Sequence, residues 1–154
     1  QIGRRAVRES PERVEPHYWY ANALGRLSEI HSTPTYLDHM VEMGTKALEI
    51  DASYDFGGPH RFLGLIYLET ENQPVYAVGS FDEALEHLER ACEIAPDYPP
   101  NHLAFARALI EDDRYKEAHE RLIKVLELPA PAGEEVDRAE WIAAAKRLLQ
   151  EIAG

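Results

Sequence analysis

One helical stripe occurs three times in this sequence, and that repetition limits the fold more than any other feature. Leu37, Met40, Val41, Gly44, Ala47 and Leu48 follow the spacing i, i+3, i+4, i+7, i+10, i+11, which puts them on one side of an α-helix. The same spacing returns 44 residues later as Phe81, Ala84, Leu85, Leu88, Ala91 and Cys92. It returns again after another 34 as Tyr115, Ala118, His119, Leu122, Val125 and Leu126. A helix with one apolar face has to bury it. Three in series mean repeated units, each covering its neighbour's open side.

Each stripe is preceded by a second helical pattern, marked by Gly25, Gly64 and Ala106. A small residue there lets two helices approach closely. From Ala106 to Ala118 is 12 residues, an ordinary hairpin spacing, whereas Gly64 to Ala84 is 20, an insertion of 8. The insertion falls between Thr70 and Gly79, and its Val75, Tyr76 and Val78 make it too apolar for a simple spacer. It either packs back on the helices or meets another chain. Ser80 followed by Glu83 then reads as a capping box opening the next helix.

Leu-Gly/Ala-x-x-Tyr/Leu on a first helix, then Ala-x-x-x-Leu-x-x-Ala/Val on a second, closed by Pro96 or Pro129, resembles the tetratricopeptide repeat, whose standard period is about 34 residues. The resemblance implies an all-α, right-handed superhelix of three helical hairpins, 16–52, 57–96 and 99–128, with a capping helix at 134–152. These form one domain, 16–152, after an N-terminal segment, 1–15.

Composition narrows the function classes. With 28 acidic against 16 basic residues the formal charge is −12, which argues against nucleic acid as a partner. A hydrophobic content of 45% lies well above what a disordered chain carries. No stretch approaches the ~20 apolar residues of a spanning helix. The chain opens on Gln1 rather than Met, so a signal peptide or a lipid-anchoring cysteine would lie upstream of it. Cys92 is the only cysteine, which rules out an internal disulfide, and its place in the stripe predicts a small core residue.

At the N-terminus, Arg4, Arg5, Arg8 and Arg13 give a basic, solvated segment, and Ser10-Pro11-Glu12 reads as a helix start with Ser10 as cap. Pro16 opens a stronger helix from His17 to about Ile30. Its Tyr18, Trp19 and Tyr20 are successive, ~100° apart, and cannot all face one side. At least one has to meet another helix, another subunit or a ligand. Thr33-Pro34 restarts the chain, with Thr33 as cap. At the other end, Glu134 and Glu135 open the last helix, whose stripe Ile142, Ala145, Leu149, Ile152 caps the stack while Lys146 and Arg147 stay wet. Trp141 falls off that stripe, as a second packing contact or an interface residue.

No catalytic or metal constellation stands out. The histidines lack ligand spacing: His60 and His102 fall where a large residue packs inside a helix pair, and His119 lies in the inner stripe as a half-buried residue. Gly57-Gly58-Pro59 reads as a turn into a helix, not a phosphate loop. No nucleophile–base pair is present. The expectation is a protein that is not an enzyme and uses no cofactor or metal.

In tetratricopeptide stacks a concave groove is lined by set positions of each first helix. Carried over by alignment on Gly25, Gly64 and Ala106, these become Trp19, Asn22 and Arg26, then Arg61, Leu65 and Leu68, then Leu103, Arg107 and Ile110. Three arginines in one groove of an acidic protein would suit an acidic peptide or organic acid. The plainer reading is that they pair with local glutamates.

A narrower resemblance rests on three segments. His17-Tyr18-Trp19-Tyr20-Ala21-Asn22-Ala23-Leu24-Gly25, the run Tyr54-Asp55-Phe56-Gly57-Gly58-Pro59-His60-Arg61-Phe62-Leu63-Gly64, and Ala144-Ala145-Lys146-Arg147-Leu148-Leu149 are similar to the T-component family of TRAP transporters. The resemblance implies a periplasmic, lipid-anchored accessory that docks the solute-binding subunit of a carboxylate uptake system and forms homotrimers. Tyr18, Tyr20, Tyr76 and Trp141 are the candidate oligomer contacts. The alternative is a general adaptor, cytoplasmic and monomeric, gripping an acidic peptide or protein terminus.

Overall fold

A computed structural model of the chain describes residues 1–31, 34–71 and 79–154. Every regular element among them is helical: α1 (Ile2–Glu9), α2 (Val14–His31), a short 3-10 turn (Pro34–Tyr36), α3 (Leu37–Ile50), α4 (Tyr54–Thr70), α5 (Phe81–Ile94), α6 (Pro99–Glu111), α7 (Tyr115–Glu127) and α8 (Arg138–Ala153). The chain pairs α2 with α3, α4 with α5, and α6 with α7. The pairs stack through α3 on α4 and α5 on α6, and α8 closes the end on α7 and α6.

The stripes explain the stacking. Met40, Ala47, Ala84, Leu88, Ala91, Ala118, Leu122 and Val125 are all buried. Most of them join Leu24, Leu63, Phe105, Leu109 and Ala145 in one continuous core running from α2 to α8. Cys92 belongs to that core, and burial pushes its thiol up to about 11, which keeps it protonated at neutral pH. His119 departs from its stripe and is exposed. The equivalent Val41 and Leu85 are only half-buried, so this position lies at the margin of the packed face, where a polar ring can stay wet.

The small-residue rule is strictest at Gly64. A Cβ there would stand 2.6 Å from Leu88 Cγ and 3.2 Å from the Ala84 carbonyl oxygen, so α4 and α5 are in backbone contact. Ala106 is fully buried. Gly25 is less constrained, since a Cβ would meet only the Met40 methyl at 3.4 Å. The capping box is formed as read: Ser80 Oγ accepts from Glu83 N at 3.1 Å, and Glu83 Oε2 accepts from Ser80 N at 2.7 Å. The apolar insertion, including Tyr76, and the Thr33 cap lie outside the described residues.

Besides α2, which begins at Val14 ahead of Pro16 rather than at His17, three points differ from the sequence reading. Ser10 closes a helix instead of opening one: its N–H bonds the Ala6 carbonyl at the end of α1, and Pro11 forbids continuation. α1 is held because Gly3 lets it lie against the Tyr20 ring, with Arg4 Nε donating to Tyr20 Oη at 3.1 Å. At the other end, Glu134 and Glu135 precede the last helix by a loop. Glu134 accepts from Tyr98 Oη at 2.8 Å and Glu135 accepts from Gly133 N at 2.9 Å, and α8 begins only at Arg138. The third difference is a left-handed turn beginning at Asp55, two residues before the glycine that the sequence marked, and it bears directly on the site.

Candidate functional site

Trp19, Asn22 and Arg26 stand at i, i+3 and i+7 on α2, and Arg61 and Leu65 at i and i+4 on α4. These five of the positions assigned to the groove line one cavity of about 800 Å³ between the two helices, with Leu37, Met40, Phe62 and Ile66 among its apolar residues. Trp19 is 54% exposed and donates from Nε1 to Tyr54 Oη at 2.9 Å, so its ring is both anchored and accessible. Asn22 donates to the Tyr18 carbonyl at 2.9 Å. Arg107 and Ile110, on α6, are not part of that lining. Arg107 Nη2 lies 3.6 Å from Glu69 Oε1, an exposed ion pair beside the cavity, of a kind worth little energy. Leu68, carried over as groove-lining, is buried instead.

The three arginines therefore have different tasks. Arg61 is nearly buried, with its side chain 12% exposed. It is the clamp of the left-handed turn formed by Asp55 (φ 48°), Phe56 (φ 58°) and Gly57 (φ 78°). Two of these residues carry side chains in a region that L-residues seldom occupy. Arg61 Nη2 reaches Asp55 Oδ2 at 3.1 Å, and its guanidinium donates to the Asp55 and Phe56 carbonyls at 3.3–3.4 Å. Nη1 donates to Asn101 Oδ1 at 2.8 Å, and the guanidinium lies 5.0 Å from the Tyr98 ring centre. Asn101, fully buried, donates in turn to the carbonyls of Phe56, Ala91 and Ala95. Arg61 faces the cavity as part of its wall, with both terminal nitrogens already engaged. Arg107 is paired as the plainer reading had it. Arg26, exposed at the rim, has no ion pair among the described residues.

The candidate oligomer contacts are also redistributed. Tyr18 is only 4% exposed, and its hydroxyl donates to Asp55 Oδ2 at 2.7 Å. Burial, aided by Asp55, pushes that hydroxyl's pKa upward. It is a core residue and cannot serve as a contact for another subunit. Tyr20 is half-covered by α1. Trp141 packs edge-on against Tyr98, ring centres 5.9 Å apart, which answers its position off the last stripe as a packing contact.

Asp55, Tyr98 and Asn101 escaped the sequence reading because none lies in an apolar stripe. The available signal was Asp55-Phe56-Gly57 itself, since Asp and Gly are the residues that best tolerate a left-handed turn. Among the histidines, His102 is buried and bonds the Pro96 carbonyl, while half-buried His60 packs on α5. Among the described residues no three His, Cys, Asp or Glu side chains converge as metal ligands would, and no helix is long and apolar enough to cross a membrane.

Residues 75–140 match the family model of the tetratricopeptide repeat, a stretch that includes α5, α6 and α7. No curated protein matches the chain. The match covers α5, α6 and α7 of an all-helical stack of paired helices, and tetratricopeptide repeats build extended surfaces that bind other proteins.

Proposed function

We propose that the chain is a non-catalytic scaffold that holds an acidic segment of a partner protein in the cavity between α2 and α4. Trp19 is the aromatic anchor and Arg26 the charge contact. The observation that carries this reading is the gathering of Trp19, Asn22, Arg26, Arg61 and Leu65 around one cavity in which Arg26, unlike Arg61, forms no ion pair among the described residues. A cavity of about 800 Å³ falls within the ~300–1,000 Å³ that recognition pockets span, room for a few side chains. An exposed Trp beside an arginine is the composition that dominates binding energy at protein interfaces.

The finer reading is an accessory of a TRAP-type carboxylate uptake system: periplasmic, lipid-anchored, trimeric, docking the solute-binding subunit. What supports it is the likeness of the Tyr18-Trp19-Tyr20-Ala21 and Gly57-Gly58-Pro59-His60-Arg61 segments to that family. With Tyr18 buried and Tyr20 half-covered, a trimer would use other residues of the surface. The adaptor reading differs in compartment and partner, and uses the same cavity.

Affinity capture from native cells with the wild type, Trp19→Ala and Arg26→Glu tests the proposal. Arg8→Glu, an exposed change outside the cavity lining, is the control. The expected result is a protein retained by wild type and Arg8→Glu and reduced at least tenfold on both cavity variants, about 1.4 kcal/mol. If the retained protein is a periplasmic solute-binding subunit, the transport reading gains. If it is a cytosolic protein with an acidic terminus, the adaptor reading does. Equal retention by all four would overturn the cavity as the binding site.

A further inference from the structure

The back of the α4–α5 hairpin carries a pair of histidines that neither the groove nor the core requires. His60 Nδ1 and His87 Nδ1 lie 2.8 Å apart, with ring centres 5.1 Å apart, and both rings are half-buried. At that separation one nitrogen carries a proton and donates it to the lone pair of the other. The bond crosses between helices whose backbones already touch at Gly64, so it reports directly on whether the hairpin is closed. The Tyr67 ring of α4 stands edge-on to His87 at 5.5 Å between centres.

We propose that the His60–His87 pair is an acid-operated latch on the α4–α5 hairpin, closed by one shared proton and opened by protonation of the accepting nitrogen. The proton count fixes the behaviour. In the neutral pair the donor ring holds its proton on Nδ1 and leaves Nε2 bare, while the acceptor ring holds its proton on Nε2. A first added proton goes to the donor's bare Nε2 and leaves the Nδ1–H···Nδ1 bond in place. A second has to go to the acceptor's Nδ1. It removes the only lone pair in the contact and sets two imidazolium cations face to face.

The surroundings set where this happens. Burial lowers both rings' affinity for protons; for His60, His87 and then Arg90 add to the effect, and the ring is pushed down to about 4. Glu86 and Glu83 act on His87 in the opposite sense. These charges all come from α5, and α2, α3 and α6, the other elements packed on the hairpin, contribute none among the described residues. Because the folded rings bind protons less readily than free histidine, the latch stabilises the hairpin fully above about pH 6.5. That contribution is lost as pH falls toward 4. Nothing in this depends on what the groove holds.

An NMR titration of the imidazoles in the full chain, with thermal melts of the wild type and His60→Gln between pH 6.5 and 4.5, tests the proposal. The expected result is that His60 stays neutral below pH 5, and that His87→Gln raises its midpoint. His60→Gln should also lose less of its melting temperature on acidification than the wild type does. Titration of both rings independently near 6.5, or an unmoved His60 midpoint in His87→Gln, overturns the latch. So does an identical acid slope in wild type and His60→Gln, because titration would then exert no force on the hairpin.

Discussion

Arg61→Ala is expected to destabilise the fold by about 3 kcal/mol, the lower end of what removing one partner from a buried pair costs. Three groups lose their partner at once. Asp55, whose side chain is 25% exposed, loses its cation, Asn101 Oδ1 loses its donor, and the left-handed turn at Asp55 and Phe56 loses the guanidinium that bonds its carbonyls. For a chain of this size the loss corresponds to a fall in melting temperature of roughly 6–12 °C. Arg61→Lys should fall between the two, because an ammonium can meet Asp55 but cannot reach the carbonyls and Asn101 together as the planar fork does. A melt of Arg61→Ala within 3 °C of wild type would mean that the clamp carries no load. The same logic makes charge reversal at Arg61 a poor probe of binding, and Arg26 the right one.

Leu88→Ala should cost about 3–5 kcal/mol, and its cost should shrink in a Gly64→Ala background. Leu88 is completely buried, and truncation leaves a void between closely packed helices. Gly64→Ala alone forces a methyl to within 2.6 Å of Leu88 Cγ and should cost about 1–3 kcal/mol as overpacking. Together the two changes exchange volume across one contact, so the double variant should be more stable than the sum of the singles by at least 0.5 kcal/mol. Urea denaturation of the four proteins measures this. Strict additivity would mean that Gly64 is small for a reason other than Leu88, for example the Ala84 carbonyl 3.2 Å from the same point.

The helices were legible because their evidence is local and periodic. A stripe met three times in register identifies Ala84, Leu88, Ala118 and Leu122 as core without any knowledge of how the helices cross, and all four are buried. Gly64 and the Ser80–Glu83 box were readable for the same reason. What the sequence hid are features made by residues distant in the chain. Arg61 reads as a solvent-facing groove position by spacing, and only the approach of Asn101, 40 positions on, and Tyr18, 43 positions back, turns it inward. His60 and His87 are 27 residues apart with no ligand motif between them, and they meet because the hairpin folds them together. The acidic Glu134-Glu135 pair carries the signal of a helix start, yet a single hydroxyl, Tyr98 Oη, holds Glu134 in the loop.

The polar cluster centred on Arg61 joins α2, through Tyr18, to α4 and to α6, through Asn101. In a linear array of repeats, partial unfolding creates a boundary between ordered and disordered units, and its free energy is the interface lost there. Charge-assisted bonds set at two successive interfaces make each such boundary expensive and suppress fraying from either end. Trp19 and Trp141 report on opposite ends of the array. Trp19→Phe and Trp141→Phe, each keeping one reporter, should therefore melt at one shared midpoint, coincident with loss of helical circular dichroism. Separate midpoints would show units melting one by one. With a single midpoint, whatever grips one hairpin tightens the whole array.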